Sequence, residues 1–100
     1  MKTASAPSRN PTPDPALPAL LPAYFERRAA DARLLDAALA TRDYPAIAAI
    51  GHRLKGLGST YGHDAISTTG RELEAAAGAG DATRISRLIA DYQRVLAELN

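Results

Sequence analysis

Several residue types that often reveal a protein's chemistry are scarce or missing in this chain. Its 100 residues include no cysteine and no tryptophan, and they include a single phenylalanine. Without cysteine the chain can form no disulfide, no thiolate nucleophile and no cysteine-ligated zinc site. No apolar run is long enough to span a bilayer, and no apolar segment follows Lys2 as a secretory signal requires. We therefore expect a cytoplasmic protein that binds no membrane.

Positive and negative charges are nearly balanced, with 12 basic and 11 acidic residues and a formal net charge of +1. Lys2, Arg9 and Asp14 account for this excess. The rest of the chain has no basic stripe, so we expect no binding of nucleic acid. Hydrophobic residues make up 46% of the chain, and nearly half of them are alanine. Because alanine, leucine, arginine and glutamate favour helices, the composition predicts an all-α protein.

The first residues differ in composition from the rest. Residues 1–13 are rich in proline, serine and threonine and contain almost nothing to bury. We therefore predict a disordered tail over residues 1–13 and one domain over residues 14–100.

Prolines shape the expected start of the domain. Pro15, Pro18 and Pro22 recur at nearly helical spacing, although a proline inside a helix removes a hydrogen-bond donor. We therefore expect a short helical extension near residues 15–21, and then a long helix with Pro22 in its first turn that ends near Ala40. The apolar stripe of this first long helix is predicted to contain Leu21, Phe25, Ala29, Ala32, Leu35 and Leu39.

Capping residues divide the remaining chain into three more helices. Asp43 can be the N-cap of a second helix, and Gly62 can take the left-handed conformation that ends it. A third helix starts near Asp64 and stops at Gly78, and Asp81 caps a fourth. Short loops favour antiparallel neighbours, so we predict an up-and-down antiparallel four-helix bundle. The predicted inner faces of the last two helices contain Ile66, Thr69, Gly70, Leu73 and Ala77, and Ile85, Leu88, Ile89, Tyr92, Leu96 and Leu99.

The second helix separates into two faces when about 100° is assigned to each residue. His52 lies almost opposite the centre of the apolar arc, and Lys55, Gly56 and Ser59 share its outer face. The helix therefore presents a histidine, a lysine and small residues together to solvent. The apolar arc, which we expect to face the core, contains Ile47, Ile50, Leu54, Leu57, Gly58 and Tyr61.

This outer face suits phosphoryl chemistry, although His52 could also be an ordinary surface histidine. A neutral exposed imidazole can attack a phosphoryl group and form a phosphohistidine. Lys55, one turn further on, would offset the phosphoryl charge. Gly56 costs about 1 kcal/mol of helix propensity relative to alanine, and no packing on the outer face requires it. We therefore expect Gly56 to admit a partner surface, whereas Gly58 would let a neighbouring helix approach closely.

A resemblance to a known family is carried by His52-Arg53-Leu54-Lys55-Gly56, Gly58, Tyr61-Gly62 and Leu73-Glu74. These residues resemble the histidine-containing phosphotransfer (HPt) domains of bacterial phosphorelays, and the resemblance covers most of the chain. It implies that His52 accepts a phosphoryl group from a phosphoaspartate of a receiver domain and passes it to another receiver. It also implies that Lys55 supports the phosphorylated state. Gly56, with Arg53 and Ser59, is expected to contact the receiver.

The same resemblance implies partners and limits the chemistry of the chain itself. The expected partners are receiver domains of response regulators and a hybrid histidine kinase. We expect a monomer with no kinase or ATPase activity and no cofactor, because Mg²⁺ would belong to the partner receiver domain. His52 and His63, separated by a glycine turn, would make a poor metal site.

Two other functions remain open from the sequence. The chain could be a helical interaction or adaptor module in which His52 is incidental. It could also act like the phosphoacceptor domain of a chemotaxis-type kinase, with ATP bound elsewhere as the donor. Outside the motif, we expect His63 at the loop or start of the third helix. Glu72 and Glu74, two residues apart on a helix, are expected to point apart on a solvated surface.

Overall fold

A computed structural model describes residues 17–99 of the chain and the side chains of residues 22–98. Within this part of the chain all regular structure is helical, which confirms the predicted all-α class. The predicted tail, residues 1–13, lies outside the described residues. The helices are α1 (Leu17–Ala40), α2 (Tyr44–Tyr61), α3 (Asp64–Gly78) and α4 (Ala82–Leu99).

The helices form a closed ring in which each one packs against two neighbours. α1 and α3 each contact both α2 and α4. Asp31 of α1 pairs with Arg53 of α2, and Tyr24 packs on Tyr61, so α1 and α2 run in opposite directions. The three connections are short, as antiparallel neighbours allow. The predicted up-and-down four-helix bundle is confirmed.

The predicted caps determine where the helices begin and end. The Asp43 carboxylate accepts a hydrogen bond from the Ala46 amide at 3.2 Å, and Asp81 accepts one from the Arg84 amide at 3.0 Å. Gly62 ends α2 with φ 76°, in the left-handed region that glycine adopts without strain. These bonds satisfy backbone groups that helix ends leave without partners.

The predicted start of the first helix is wrong. Residues 17–21 do not form a separate helical piece, because α1 is continuous from Leu17 and contains Pro22 in its second turn. Pro18 instead occupies the first turn, where its missing N–H costs nothing. Pro22 removes only the bond to the Pro18 carbonyl, close to the helix end. Residues 15 and 16 of the predicted extension lie outside the described residues.

The predicted apolar stripe of α1 is also partly wrong. Ala32 and Leu35 are buried as expected, but Phe25, Ala29 and Leu39 are only half-buried. The buried side instead includes two charged residues that neutralise each other, a pairing that a hydrophobic repeat does not detect. The side chain of Leu21 lies outside those described. The face that packs inward contains Tyr24, Arg28, Asp31, Ala32, Leu35 and Ala38.

A buried ion-pair network explains this rotation of α1. Arg28 Nε donates to Asp31 Oδ2 at 2.9 Å, and both side chains are almost fully buried. Arg53 of α2 pairs with the other oxygen of Asp31. The Tyr92 hydroxyl of α4 donates to the Arg28 carbonyl at 2.9 Å, and burial raises the pKa of Tyr92. The network therefore joins α1 to α2 and α4 through polar contacts inside the core.

The inner faces of α2, α3 and α4 agree with the predictions. Leu57 and Tyr61 are half-buried at the edge of the core, and the side chain of Leu99 lies outside those described. Gly58 permits the close helix approach expected of it, since an added Cβ would lie 2.4 Å from the Ser67 amide nitrogen. The confirmed buried residues are Ile47, Ile50, Leu54, Ile66, Thr69, Gly70, Leu73, Ala77, Ile85, Leu88, Ile89, Tyr92 and Leu96.

Aromatic residues close one end of the bundle. Tyr24 packs on Tyr61 with ring centroids 4.3 Å apart, and Phe25 stacks on His63 at 5.7 Å. His63 is the N-cap of α3, at the position expected for it, but its side chain makes no cap hydrogen bond. Burial raises the pKa of Tyr24. This cluster lies at the end of α2 beyond Gly58, away from His52.

Candidate functional site

His52 lies on the outer face of α2, as the helical arc predicts. Leu54 and Ile47 are completely buried and set the rotation of α2 about its axis. Because His52 is opposite these anchors, 69% of its side chain is exposed. A rigid helix therefore presents the imidazole to solvent, which suits a group that must meet a partner.

Glu74 of α3 brings a carboxylate to His52. Its Oε2 lies 3.3 Å from His52 Nδ1, and its Oε1 lies 3.4 Å from Lys55 Nζ. The two glutamates point apart, as the sequence predicts, but Glu74 contacts His52 and Lys55 rather than solvent alone. Glu72 does point elsewhere, toward Arg84 at 3.9 Å. One carboxylate thus bridges the imidazole and the ammonium group.

The position of Glu74 favours one tautomer of the His52 ring. A carboxylate only accepts hydrogen bonds, so a proton on Nδ1 faces an acceptor, whereas a lone pair there would face negative charge. The neutral ring is therefore favoured with its proton on Nδ1 and its lone pair on Nε2. Nε2 is the nitrogen farther from Glu74, and in this tautomer it carries the lone pair of the ring.

The helix surface beside His52 has an unfilled space. An added Cβ at Gly56 would meet nothing within 4 Å, so no packing inside the described structure requires glycine there. Ser59, the next turn on, is also exposed. The Gly56 carbonyl accepts a hydrogen bond from the Thr60 hydroxyl at 2.9 Å. No side chain at position 56 therefore blocks the approach of a folded partner to the imidazole.

Comparison with known protein families returns a match for the chain. The family model described as Hpt domain matches residues 19–98. The chain belongs to the Hpt domain family. Hpt domains are histidine phosphotransfer carriers of phosphorelays, which interact with receiver domains and histidine kinases. Searches of curated proteins and of solved structures each return no match.

Arg53 of this Hpt domain differs from its neighbours on the outer face. Its side chain is 48% exposed, but Nη2 is held by the buried carboxylate of Asp31. Asp31 also pairs with buried Arg28, so two arginines share one carboxylate and the cluster has an excess positive charge. Arg53 therefore has a structural contact in addition to the partner contact that the sequence predicts for it.

Between residues 17 and 99, no helix of this Hpt domain is long and apolar enough to cross a membrane. In the same part of the chain, no three histidine, aspartate or glutamate side chains gather as metal ligands.

The sequence predicts no site role for Glu74 or Asp31. Glu74 follows buried Leu73 and lies one turn after Gly70, so it borders the inner face of α3 rather than the outer one. That border position was the available indication that Glu74 faces α2. The contact of Asp31 with Arg53 depends on how α1 packs, and no local pattern in the chain indicates it.

Proposed function

We propose that this Hpt domain is a phosphorelay intermediate that receives a phosphoryl group on His52 Nε2 from a receiver-domain phosphoaspartate and passes it to another receiver. The observation that carries the proposal is the contact of Glu74 with Nδ1, which leaves the Nε2 lone pair on an exposed ring beside Gly56. The family match supports histidine phosphotransfer in general.

The transfer is a displacement at phosphorus that needs few groups from this chain. The Nε2 lone pair forms a bond to phosphorus while the bond from phosphorus to the aspartate oxygen breaks. The aspartate leaves as a carboxylate, the proton on Nδ1 stays in place, and the ring becomes a cation. Transfer to a second receiver makes a new bond from an aspartate oxygen to phosphorus and breaks the bond to Nε2. No water and no nucleotide is consumed.

Each charge that develops in this step has a partner in the site. The ring cation lies against Glu74 Oε2, 3.3 Å from Nδ1. Lys55 is one helical turn from His52 and can exchange its contact with Glu74 for the phosphoryl oxygens. Because phosphoryl transfer is mostly positioning and charge stabilisation, these groups suffice on the acceptor side. The receiver supplies the phosphoaspartate and its magnesium ion.

The open surface at Gly56 suits a receiver that must bind and leave. One small face has to meet at least two partners, so we propose a weak interface at the lower end of the size range. Ser59 and the free donors of Arg53 lie on this face and can contact the receiver. In this proposal the chain works as a cytoplasmic monomer without kinase or ATPase activity and without a cofactor of its own.

Transfer from a phosphorylated receiver tests the proposal. Receiver domains are labelled on aspartate with radioactive phosphate and incubated with the chain. We expect an acid-labile, alkali-stable label in the wild type and no label in His52→Gln. His63→Gln is the matched control and should be labelled like the wild type. Label retained in His52→Gln would refute the assignment of the acceptor.

The same assay separates the other functions. If the folded chain is labelled neither by receivers nor by phosphoramidate, it is an adaptor module and not a phosphorelay intermediate. Label that arrives only from ATP and a kinase, with no exchange to receivers, would indicate a phosphoacceptor of the chemotaxis-kinase kind. A labelled chain that passes its phosphoryl group to a second receiver supports the proposal.

A further inference from the structure

The glycines that pack α2 against α3 lie directly beneath the site. A Cβ added at Gly51 would lie 2.7 Å from the Gly70 carbonyl oxygen and 2.9 Å from the Glu74 amide nitrogen. A Cβ added at Gly70 would lie 2.5 Å from both the Gly51 carbonyl oxygen and the Lys55 amide nitrogen. These distances are too short for any side chain larger than hydrogen. Each glycine therefore sits against the backbone of a residue that makes the bridge of Glu74.

A hydrogen bond holds the same turn of α2 from the other side of Gly70. The Ser67 hydroxyl donates to the Lys55 carbonyl at 2.9 Å, and Ser67 is buried. α3 thus touches the backbone of Lys55 at its nitrogen through Gly70 and at its oxygen through Ser67. The turn that carries His52 and Lys55 is held against α3 by these contacts.

We infer that Gly70 and Ser67 are positioning residues that set the reach of Glu74 to His52 and Lys55. The inference rests on the proposed function, which it extends from the reacting residues to those that place them. Glu74 lies one turn after Gly70 on the same helix, so the distance between the α2 and α3 backbones at Gly70 sets the distance that its side chain must span.

The spacing leaves little room for change. An alanine at position 70 must move its Cβ from 2.5 Å to at least 3.4 Å from the facing backbone atoms. α3 would shift outward by roughly 1 Å, because packed backbone atoms do not yield as the end of a side chain does. The distance from Glu74 Oε2 to Nδ1, now 3.3 Å, would then grow to about 4 Å or more, too far for a direct polar contact. His52 would stay exposed and intact, but its tautomer would lose its support.

The imidazole tautomer of His52 is the direct test, and it needs no phosphoryl donor. Long-range proton–nitrogen NMR spectra at about pH 8, where an imidazole is neutral, report which ring nitrogen carries the proton. In Gly70→Ala we expect the ratio of Nδ1–H to Nε2–H forms to fall by about fivefold, as for the loss of one polar contact, because the carboxylate no longer faces Nδ1. Gly78→Ala is the matched control, since an added Cβ there meets nothing within 4 Å, and it should not change the ratio.

A double-mutant cycle then shows whether Gly70 acts through Glu74. With phosphoramidate as donor, Gly70→Ala alone should slow the labelling of His52 about fivefold. Added to Glu74→Ala, it should not slow labelling any further. Equal slowing in both backgrounds would show that Gly70 acts by another route and would overturn the inference. If no variant, including the wild type, takes up phosphate, the proposed function fails while the tautomer result still decides this one.

A second variant keeps the test valid if Gly70→Ala does not fold. Ser67→Ala adds no bulk and removes only the hydrogen bond to the Lys55 carbonyl, so we expect a fall of about twofold in the same tautomer ratio. Thr69→Val is its control, because the Thr69 hydroxyl bonds to Ala65 within α3. An unchanged ratio in a folded Gly70→Ala, or in Ser67→Ala if that variant alone folds, would overturn the inference.

Discussion

Glu74→Gln removes the charge that faces His52 while it keeps the size of the side chain. The amide oxygen can still face a proton on Nδ1, but the neutral amide does not balance a ring cation. We therefore expect the phosphorylated state of His52 to become less favourable, with the unphosphorylated fold unaffected.

The size of this effect follows from the exposure of the pair. The two side chains are 69% and 37% exposed, so a dielectric constant near that of water applies. Unit charges 3.3 Å apart then interact by about 1 kcal/mol, which corresponds to roughly a fivefold change in an equilibrium constant. Salt should weaken the wild-type advantage, because exposed charges are screened.

The assay is the equilibrium distribution of phosphate between a receiver domain and the chain. We expect the phosphorylated fraction of Glu74→Gln to correspond to an equilibrium constant about fivefold below that of the wild type. Glu72→Gln is the matched control, since Glu72 lies on the same helix but faces Arg84. Equal constants for the wild type and Glu74→Gln at low salt would refute the assigned role of this carboxylate.

Three further predictions concern docking, the core and pH. Gly56→Phe should block phosphoryl transfer from a receiver but leave labelling by phosphoramidate unchanged, and a transfer rate equal to that of the wild type would exclude a docking role. Gly56→Ala should raise the free energy of unfolding by about 0.5–1 kcal/mol. Asp31→Asn should lower the free energy of unfolding, measured in urea, by about 3 kcal/mol because it leaves buried Arg28 unpaired. Arg53→Gln should lower it by under about 1 kcal/mol, and equal losses of stability in the two variants would contradict the buried-charge argument. Burial raises the pKa of Tyr92 above its ordinary value of 10.0, so the unfolded chain releases this proton at lower pH and the free energy of unfolding falls as pH rises above about 10. If the free energy of unfolding of Tyr92→Phe falls with pH as steeply as that of the wild type, another group causes the loss.

The helices α2, α3 and α4 could be predicted because their information is local. Apolar residues recur at helical spacing, and Asp43, Gly62 and Asp81 make caps within three residues of the backbone groups that they satisfy. α1 was harder, since Arg28 and Asp31 are buried only because they meet each other and Arg53. A hydrophobic repeat predicts that charged residues are exposed. The predicted core face of α1 therefore included Phe25 and Ala29 instead of Arg28 and Asp31.

The candidate site divides in the same way. The exposure of His52 and the open surface at Gly56 follow from the angles of a single helix, and one sequence is enough to determine them. The motif around His52 also indicated the family, which the family match confirms.

What the sequence alone determined is therefore an all-helical chain with an exposed histidine in an Hpt motif. Tertiary structure decided that Glu74 touches both Nδ1 of His52 and Nζ of Lys55. It also decided that Gly51 and Gly70 bring α3 close enough for that contact. The physical reason is range: helix periodicity and caps act over a few residues, whereas the reach of a carboxylate from α3 to α2 depends on how closely two backbones pack.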